Sequence, residues 1–139
     1  MNMKGNCLCG NVTIEVEVNN AIEVCHCSMC RRWGSGPLMA VHSQSKPNIK
    51  GQDSIMVYQS SDWAERAFCK QCGTHLYYHL LGSEEYALLA GLFQEENNFV
   101  LSSQIFIDNK PAYYEFVNDT PTFTEQQLFD KFANSRNEP

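Results

Sequence analysis

Seven cysteines carry the chemistry legible in this 139-residue chain, and none of them stands alone. They fall as Cys7-Leu8-Cys9, Cys25-His26-Cys27-Ser28-Met29-Cys30 and Cys69-Lys70-Gln71-Cys72. A C-x-x-C spacing lets one tight knuckle aim two sulfurs at a single ion. Gly73, directly after the second knuckle, supplies the backbone freedom that such turns often require. A C-x-C in extended chain places both sulfurs on one face, because side chains alternate along a strand. Zinc suits these groups, since it accepts soft thiolates and imposes no ligand-field geometry.

Three other readings of the thiols fit less well. Inert core cysteines would not all cluster at i+2 and i+3. A redox C-x-x-C wants a βαβ setting, whereas the flanking pattern here is that of β-hairpins. Structural disulfides are uncommon in a reducing cytosol, and an odd count argues against a fully paired framework.

Seven ligands divide as four plus three. Cys25, Cys27 and Cys30 are close enough in sequence to chelate one ion by themselves. Cys7 and Cys9 with Cys69 and Cys72 would then make a closed Cys₄ site. The competing partition is a zinc ribbon pairing Cys27 and Cys30 with Cys69 and Cys72. Its gap exceeds the usual ribbon spacing of roughly 15–20 residues, and it strands Cys7, Cys9 and Cys25. Spacing favours four plus three.

Structural zinc is closed by four protein ligands, whereas catalytic zinc keeps a position for water or substrate. Three thiolates around Zn²⁺ leave a net negative charge that softens its Lewis acidity. Such a site tolerates a thiolate or alkoxide as fourth ligand. Arg31 and Arg32 follow it and either offset that charge, guide an anionic substrate, or are simply solvated. His26, between two ligands, is expected to point away from their metal into packing or supporting contacts. His75 is left open between the two sites, His42 and His79 read as ordinary partly buried imidazoles, and Trp33 as cleft-lining or core.

The elements that must position these residues read as mostly antiparallel β in a single domain, residues 1–139, with a short C-terminal helix. Val12, Ile14, Val16 and Val18 alternate with polar residues, the mark of a half-buried strand. Ile22 to Val24 is a short strand leading into the first knuckle. Further strands are expected at Leu38 to His42, Ile55 to Gln59, Arg66 to Cys69, Leu76 to Leu80, Tyr86 to Phe93, Gln104 to Ile107 and Ala112 to Phe116. Lys46 to Asp53 reads as a loop, and Trp33 to Pro37 as a break in regular structure. Thr124 and Gln127 form a capping box, with Phe123 and Leu128 placed as a hydrophobic staple. Leu128, Phe129, Phe132 and Ala133 follow at helical spacing.

Bulk composition narrows the function classes. At 43% hydrophobic and 19% charged the chain is globular. Its formal charge of −6 and lack of a basic stripe exclude a nucleic-acid binder. No run of roughly 18 apolar residues is present to span a membrane, and the first residues lack the apolar core of a secretory signal. A cytoplasmic location is therefore expected.

The cysteine motifs resemble those of the glutathione-dependent formaldehyde-activating enzyme family, which includes centromere protein V. Its pattern of C-x-C-G, C-H-C-x-x-C-R and F-C-x-x-C-G stands here as Cys7-Leu8-Cys9-Gly10, Cys25-His26-Cys27-Ser28-Met29-Cys30-Arg31 and Phe68-Cys69-Lys70-Gln71-Cys72-Gly73. The resemblance runs from Cys7 to about Phe93. It implies a sheet-rich zinc fold, structural zinc at Cys7, Cys9, Cys69 and Cys72, and catalytic zinc at Cys25, Cys27 and Cys30. It also implies condensation of formaldehyde with glutathione, formally a carbon–sulfur lyase run in reverse. No glutathione-binding residue of the family can be matched here. The related methionine-R-sulfoxide reductases need a cysteine near the C-terminus, and none follows Cys72. The basic extension of centromere protein V is absent too.

The expectation is a lyase-like enzyme acting on adducts of a small thiol, such as glutathione, and an aldehyde. It would hold two Zn²⁺ per chain, the second potentially labile. The alternative is a non-catalytic, zinc-stabilised binding module.

Overall fold

The computed structural model describes residues 1–94 and 98–137. In chain order the strands are β1 (Asn2–Asn6), β2 (Thr13–Glu17), β3 (Ala21–Cys25), β4 (Leu38–Ser43), β5 (Asn48–Lys50) and β6 (Ile55–Gln59). They continue with β7 (Ala64–Cys69), β8 (His75–Leu80), β9 (Tyr86–Leu89), β10 (Val100–Ile105) and β11 (Thr122–Phe123). The helices are α1 (Ser28–Gly34) and α2 (Glu125–Asn137). The fold is mostly β, and the chain divides into two compact units.

The first unit comprises Met1–Ala21 and Ala40–Val100. β1, β2 and β5 form an antiparallel sheet in the order β1-β2-β5, with Met3 opposite Val16 and Ile14 opposite Ile49. The alternation read in β2 is realised: Ile14 and Val16 are buried while Glu15 and Glu17 face solvent. A second run of antiparallel strands is ordered β4-β9-β8-β7-β6. Its register shifts between Ala67 and Phe68, a bulge just before the Cys69 knuckle. Leu76, Leu88 and Phe93 are among the largest fully buried side chains here. Burying each contributes about 1.5–3 kcal/mol relative to exposure.

The second unit comprises Ile22–Met39 and Leu101–Pro139. β10 neighbours β3 on one side and β11 on the other, and its pairing with β11 is parallel, with Ile105 opposite Phe123. Cys25, Cys30 and Ile105 form the buried centre of this unit, packed by Leu38, Phe106, Phe123 and Leu128. The capping box of α2 is present in both directions. The Thr124 N–H donates to Gln127 Oε1 at 2.8 Å, and the Gln127 N–H donates to Thr124 Oγ1 at 3.1 Å. Phe123 and Leu128, the expected staple, both pack against the cysteine cluster.

Several expectations about elements need correction, among them Gln104 to Ile107, which is strand only to Ile105 before Ile107–Asn109 turns as 3₁₀. Lys46 to Asp53 is not all loop, because Asn48–Lys50 pairs with β2 and Gln52–Ser54 is a 3₁₀ turn. Tyr86 to Phe93 is strand only to Leu89, after which Ala90–Leu92 turns as 3₁₀. Ala112 to Phe116 is not a strand; Tyr114 and Phe116 instead face the His26 ring. The last of these is α1, in a stretch read as a knuckle and a break. Its N-cap is Cys27, whose sulfur accepts from the Cys30 N–H, and it ends on Ser35 in the left-handed region.

Candidate functional site

The structure gathers the seven sulfurs into two groups: Cys7, Cys9, Cys69 and Cys72 in one unit, and Cys25, Cys27 and Cys30 in the other. Within each group the sulfurs all lie within 4.8 Å of one another. All seven are free thiols.

In the four-sulfur group the C-x-C is a tight turn rather than the extended segment expected. The Gly10 N–H closes it onto the Cys7 carbonyl at 3.1 Å. The C-x-x-C is likewise a turn between β7 and β8, with the Gly73 N–H on the Cys69 carbonyl at 2.7 Å. Gly10 and Gly73, each following its motif's second cysteine, have φ of 82° and 80°. That left-handed conformation costs other residues roughly 1–2 kcal/mol.

Cys7 and Cys9 Sγ lie 3.6 Å apart, and Cys9 and Cys69 Sγ 3.8 Å apart. A disulfide needs about 2.04 Å. Four thiolates at about 2.3 Å from a central zinc would form a tetrahedron with edges of about 3.8 Å. The donor set therefore fits Zn²⁺ in both chemistry and spacing.

Thr74 is a member of this site that motif reading missed. Its Oγ1 accepts from the Leu8 N–H at 3.0 Å and lies 3.1 Å from Cys72 Sγ, so its hydroxyl proton is available to that sulfur. One hydroxyl thereby ties the C-x-C turn to the C-x-x-C turn. The same bond is the main reason the Cys72 thiol is held down to about 5. The signal was one threonine one residue beyond the C-x-x-C-G, which no spacing rule singles out.

In the three-sulfur group, Cys25 ends β3, Cys27 caps α1 and Cys30 lies in its first turn. Cys25 and Cys30 are buried while Cys27 is half-buried. The Cys30 N–H donates to Cys27 Sγ at 3.3 Å. Contacts from Cys25 and Cys30 favour the thiolate at Cys27 and hold its proton affinity far below the usual thiol range. Cys25 moves the opposite way, raised by Cys27 and Cys30 and by burial. Three sulfurs this close share protons unequally, and a divalent cation relieves that crowding. Among the described residues no further Cys, His, Asp or Glu joins the three.

The remaining candidates sort clearly. Arg31 donates from Nε to the His26 carbonyl at 2.9 Å, so it braces the cysteine loop, while Arg32 is exposed. His26 is fully buried and its ring is bonded to Tyr114 and Gln104, away from metal ligation as the alternation predicted. His79 bonds Glu65 at 2.9 Å and stacks on Tyr86. Neither His42 nor His75 belongs to a metal-binding group among the described residues. Trp33 is half-buried.

The comparisons with known proteins agree with this geometry. The sequence profile of the glutathione-dependent formaldehyde-activating enzyme family matches residues 2–109. A Schizosaccharomyces pombe protein described as an uncharacterized lyase is 38% identical over 127 residues, covering 90% of this chain and 93% of its own length. A crystal structure of a Rhodobacter sphaeroides protein superposes with a TM-score of 0.59 at 32% identity, over 69% of this chain and 92% of that one. The family profile spans both cysteine groups, and the chain belongs to the glutathione-dependent formaldehyde-activating enzyme family.

Proposed function

We propose that this chain is a zinc-dependent carbon–sulfur lyase that makes or cleaves the adduct of a small thiol and an aldehyde, with glutathione and formaldehyde as the leading pair. The observation that carries this reading is the inequality of the two clusters. One brings four sulfurs together, enough for a closed tetrahedron; the other brings three with no fourth Cys, His, Asp or Glu among the described residues, so that a tetrahedral ion there would keep one position for substrate. The closed site, Cys7, Cys9, Cys69 and Cys72, is the structural one. The open site, Cys25, Cys27 and Cys30, is the reactive one. The family and the lyase-named relative support the same reaction class.

In the forward direction the thiol sulfur attacks the carbonyl carbon. A C–S bond forms, and the thiol proton ends on the former carbonyl oxygen. When bound, Zn²⁺ supplies Lewis acidity and a place for a fourth, substrate-borne ligand.

The chain's own residues do the rest. Cys25 and Cys30, buried against Ile105, Leu38 and Phe106, fix two donors in an apolar wall that keeps bulk water back. Cys27 is the half-buried donor of the three. Its N-cap bond from the Cys30 N–H holds its sulfur beside the helix start. Arg31 is held by the His26 carbonyl and so keeps its positive charge against the loop that carries the three thiolates.

The test is exchange between formaldehyde and glutathione, followed by NMR at substoichiometric zinc-loaded protein. Acceleration is expected with the native chain, and its loss, by at least tenfold, with Cys27→Ser that remains folded and keeps one zinc. An unchanged exchange rate in that variant would show that the open cluster is not the reactive one.

A further inference from the structure

His26 stands between two of the three sulfur donors, and its polar atoms are held from four directions. Its N–H donates to the Ile105 carbonyl at 3.1 Å, and its own carbonyl accepts Arg31 Nε at 2.9 Å. Ring Nε2 lies 2.8 Å from Gln104 Oε1, and ring Nδ1 2.7 Å from the Tyr114 hydroxyl. Tyr114 stacks on the imidazole with ring centres 5.5 Å apart, and Phe116 is tilted against it at 5.9 Å.

The partners are themselves fixed. Gln104 Nε2 donates to Thr120 Oγ1 at 3.1 Å, which turns its Oε1 toward the imidazole. With Gln104 in this orientation, ring Nε2 donates to its Oε1 and Nδ1 accepts from the Tyr114 hydroxyl; both ring nitrogens are bonded in either tautomer. The Tyr114 carbonyl accepts from Lys110 Nζ at 2.7 Å, and Lys110 is paired with Glu115 at 2.9 Å.

A buried imidazole is costly unless its nitrogens are bonded, and an aliphatic side chain would fill the space without that cost. What the imidazole adds is direction. Four hydrogen bonds at one residue leave the backbone between Cys25 and Cys27 little freedom to rotate. Both sulfurs are then aimed before any ion arrives, which is how supporting contacts raise the affinity of a metal site. Tyr114 and Thr120 lie beyond residue 109, where the family match ends. The clamp is thus supplied partly by chain outside the matched region.

We infer that Tyr114 and Gln104 are positioning residues for the three-thiolate centre, acting through His26 to hold Cys25 and Cys27 in converging geometry. This rests on the reading that the cluster holds a metal ion. The experiment loads the full chain with zinc and follows transfer to a chromophoric chelator, with Co²⁺ loading as a spectroscopic probe. The native chain should release two ions in two phases.

Tyr114→Phe keeps the ring stack and removes only the hydroxyl. It is expected to speed one phase about tenfold, leave the other unchanged, and alter the sulfur-to-cobalt absorption of one site. Gln104→Leu should behave alike. Gln104→Glu, which keeps an acceptor facing Nε2, should restore native release. Native rates in Tyr114→Phe would overturn the proposal. So would equal acceleration of both phases in step with a fall in Tm, since that is the mark of general destabilisation. If Tyr114→Phe does not fold, nitrogen-15 NMR of the zinc-loaded native chain decides. A single slowly exchanging ring N–H at His26 supports the clamp, and ring nitrogens averaged between tautomers overturn it. A native chain that binds one ion, and keeps it in Cys27→Ser, would overturn both this inference and the reading beneath it. The stoichiometry separates that case from the others.

Discussion

Two side chains that are not themselves sulfur donors hold the cysteines in place: Thr74 at the four-sulfur cluster and His26 at the three-sulfur cluster. Thr74 joins its two turns through a single hydroxyl. Thr74→Val keeps the shape and removes both hydroxyl bonds, leaving the Leu8 N–H to solvent and Cys72 Sγ with only backbone donors. We expect the ion at Cys7, Cys9, Cys69 and Cys72 to bind about tenfold or more weakly, measured by competition with a chelator, while the other ion is unaffected. The cysteines themselves were legible because metal ligation imposes close, countable spacings. Thr74 was not, since a hydroxyl serving two turns 66 residues apart leaves no local pattern. His26 was legible only in direction. Alternation turned its ring away from the neighbouring sulfurs, but Tyr114 and Gln104 lie 88 and 78 residues on.

Elements with a familiar local signal were read correctly, and those with an unusual or distant cause were not. β2 and α2 carry their own signals, an alternating valine and isoleucine face and a complete capping box. Thr124→Ala should cost about 1 kcal/mol. Because Leu128 of the same helix packs on Cys25 and Cys30, hydrogen exchange should quicken both in the first turn of α2 and at Cys30. α1 was hidden because a thiol is an unusual N-cap and because Gly34-Ser35-Gly36-Pro37 reads as breakage. Ala112 to Phe116 carries a strand-like alternation that serves an imidazole instead of a sheet. In β8, burial pushes Tyr77 up to about 12, aided by Tyr86 and Glu65. A phenol whose folded value is raised stabilises fully below pH 10, and that contribution is lost as pH climbs from 10 toward 12. Urea midpoints should therefore fall over that interval, and Tyr77→Phe should flatten the fall.

For the whole molecule, the proposed metals are unequal in what they hold together. The four-sulfur cluster links the start of the first unit to Cys72, closing a long loop, whereas the three-sulfur cluster closes only six residues. Chelator-stripped protein should lose several kcal/mol in urea unfolding, against the roughly 10–16 kcal/mol apparent for structural zinc in small peptides. Cys72→Ser should reproduce most of that loss and Cys27→Ser little of it. No helix among the described residues is long and apolar enough to cross a membrane. The unequal spans also set an order of events during synthesis. Once Cys30 has left the ribosome, all three local thiolates are available beside Cys7 and Cys9, while Cys69 and Cys72 are still untranslated. At about 5–20 residues per second, the nascent chain spends a few seconds with five thiols and no correct way to build the four-sulfur set. Cys7 and Cys9 can then compete for the same ion as Cys25, Cys27 and Cys30. Resolving that competition requires ligand exchange once the second knuckle emerges, and thiolates can trade places on a zinc ion with no sulfur being oxidised or reduced.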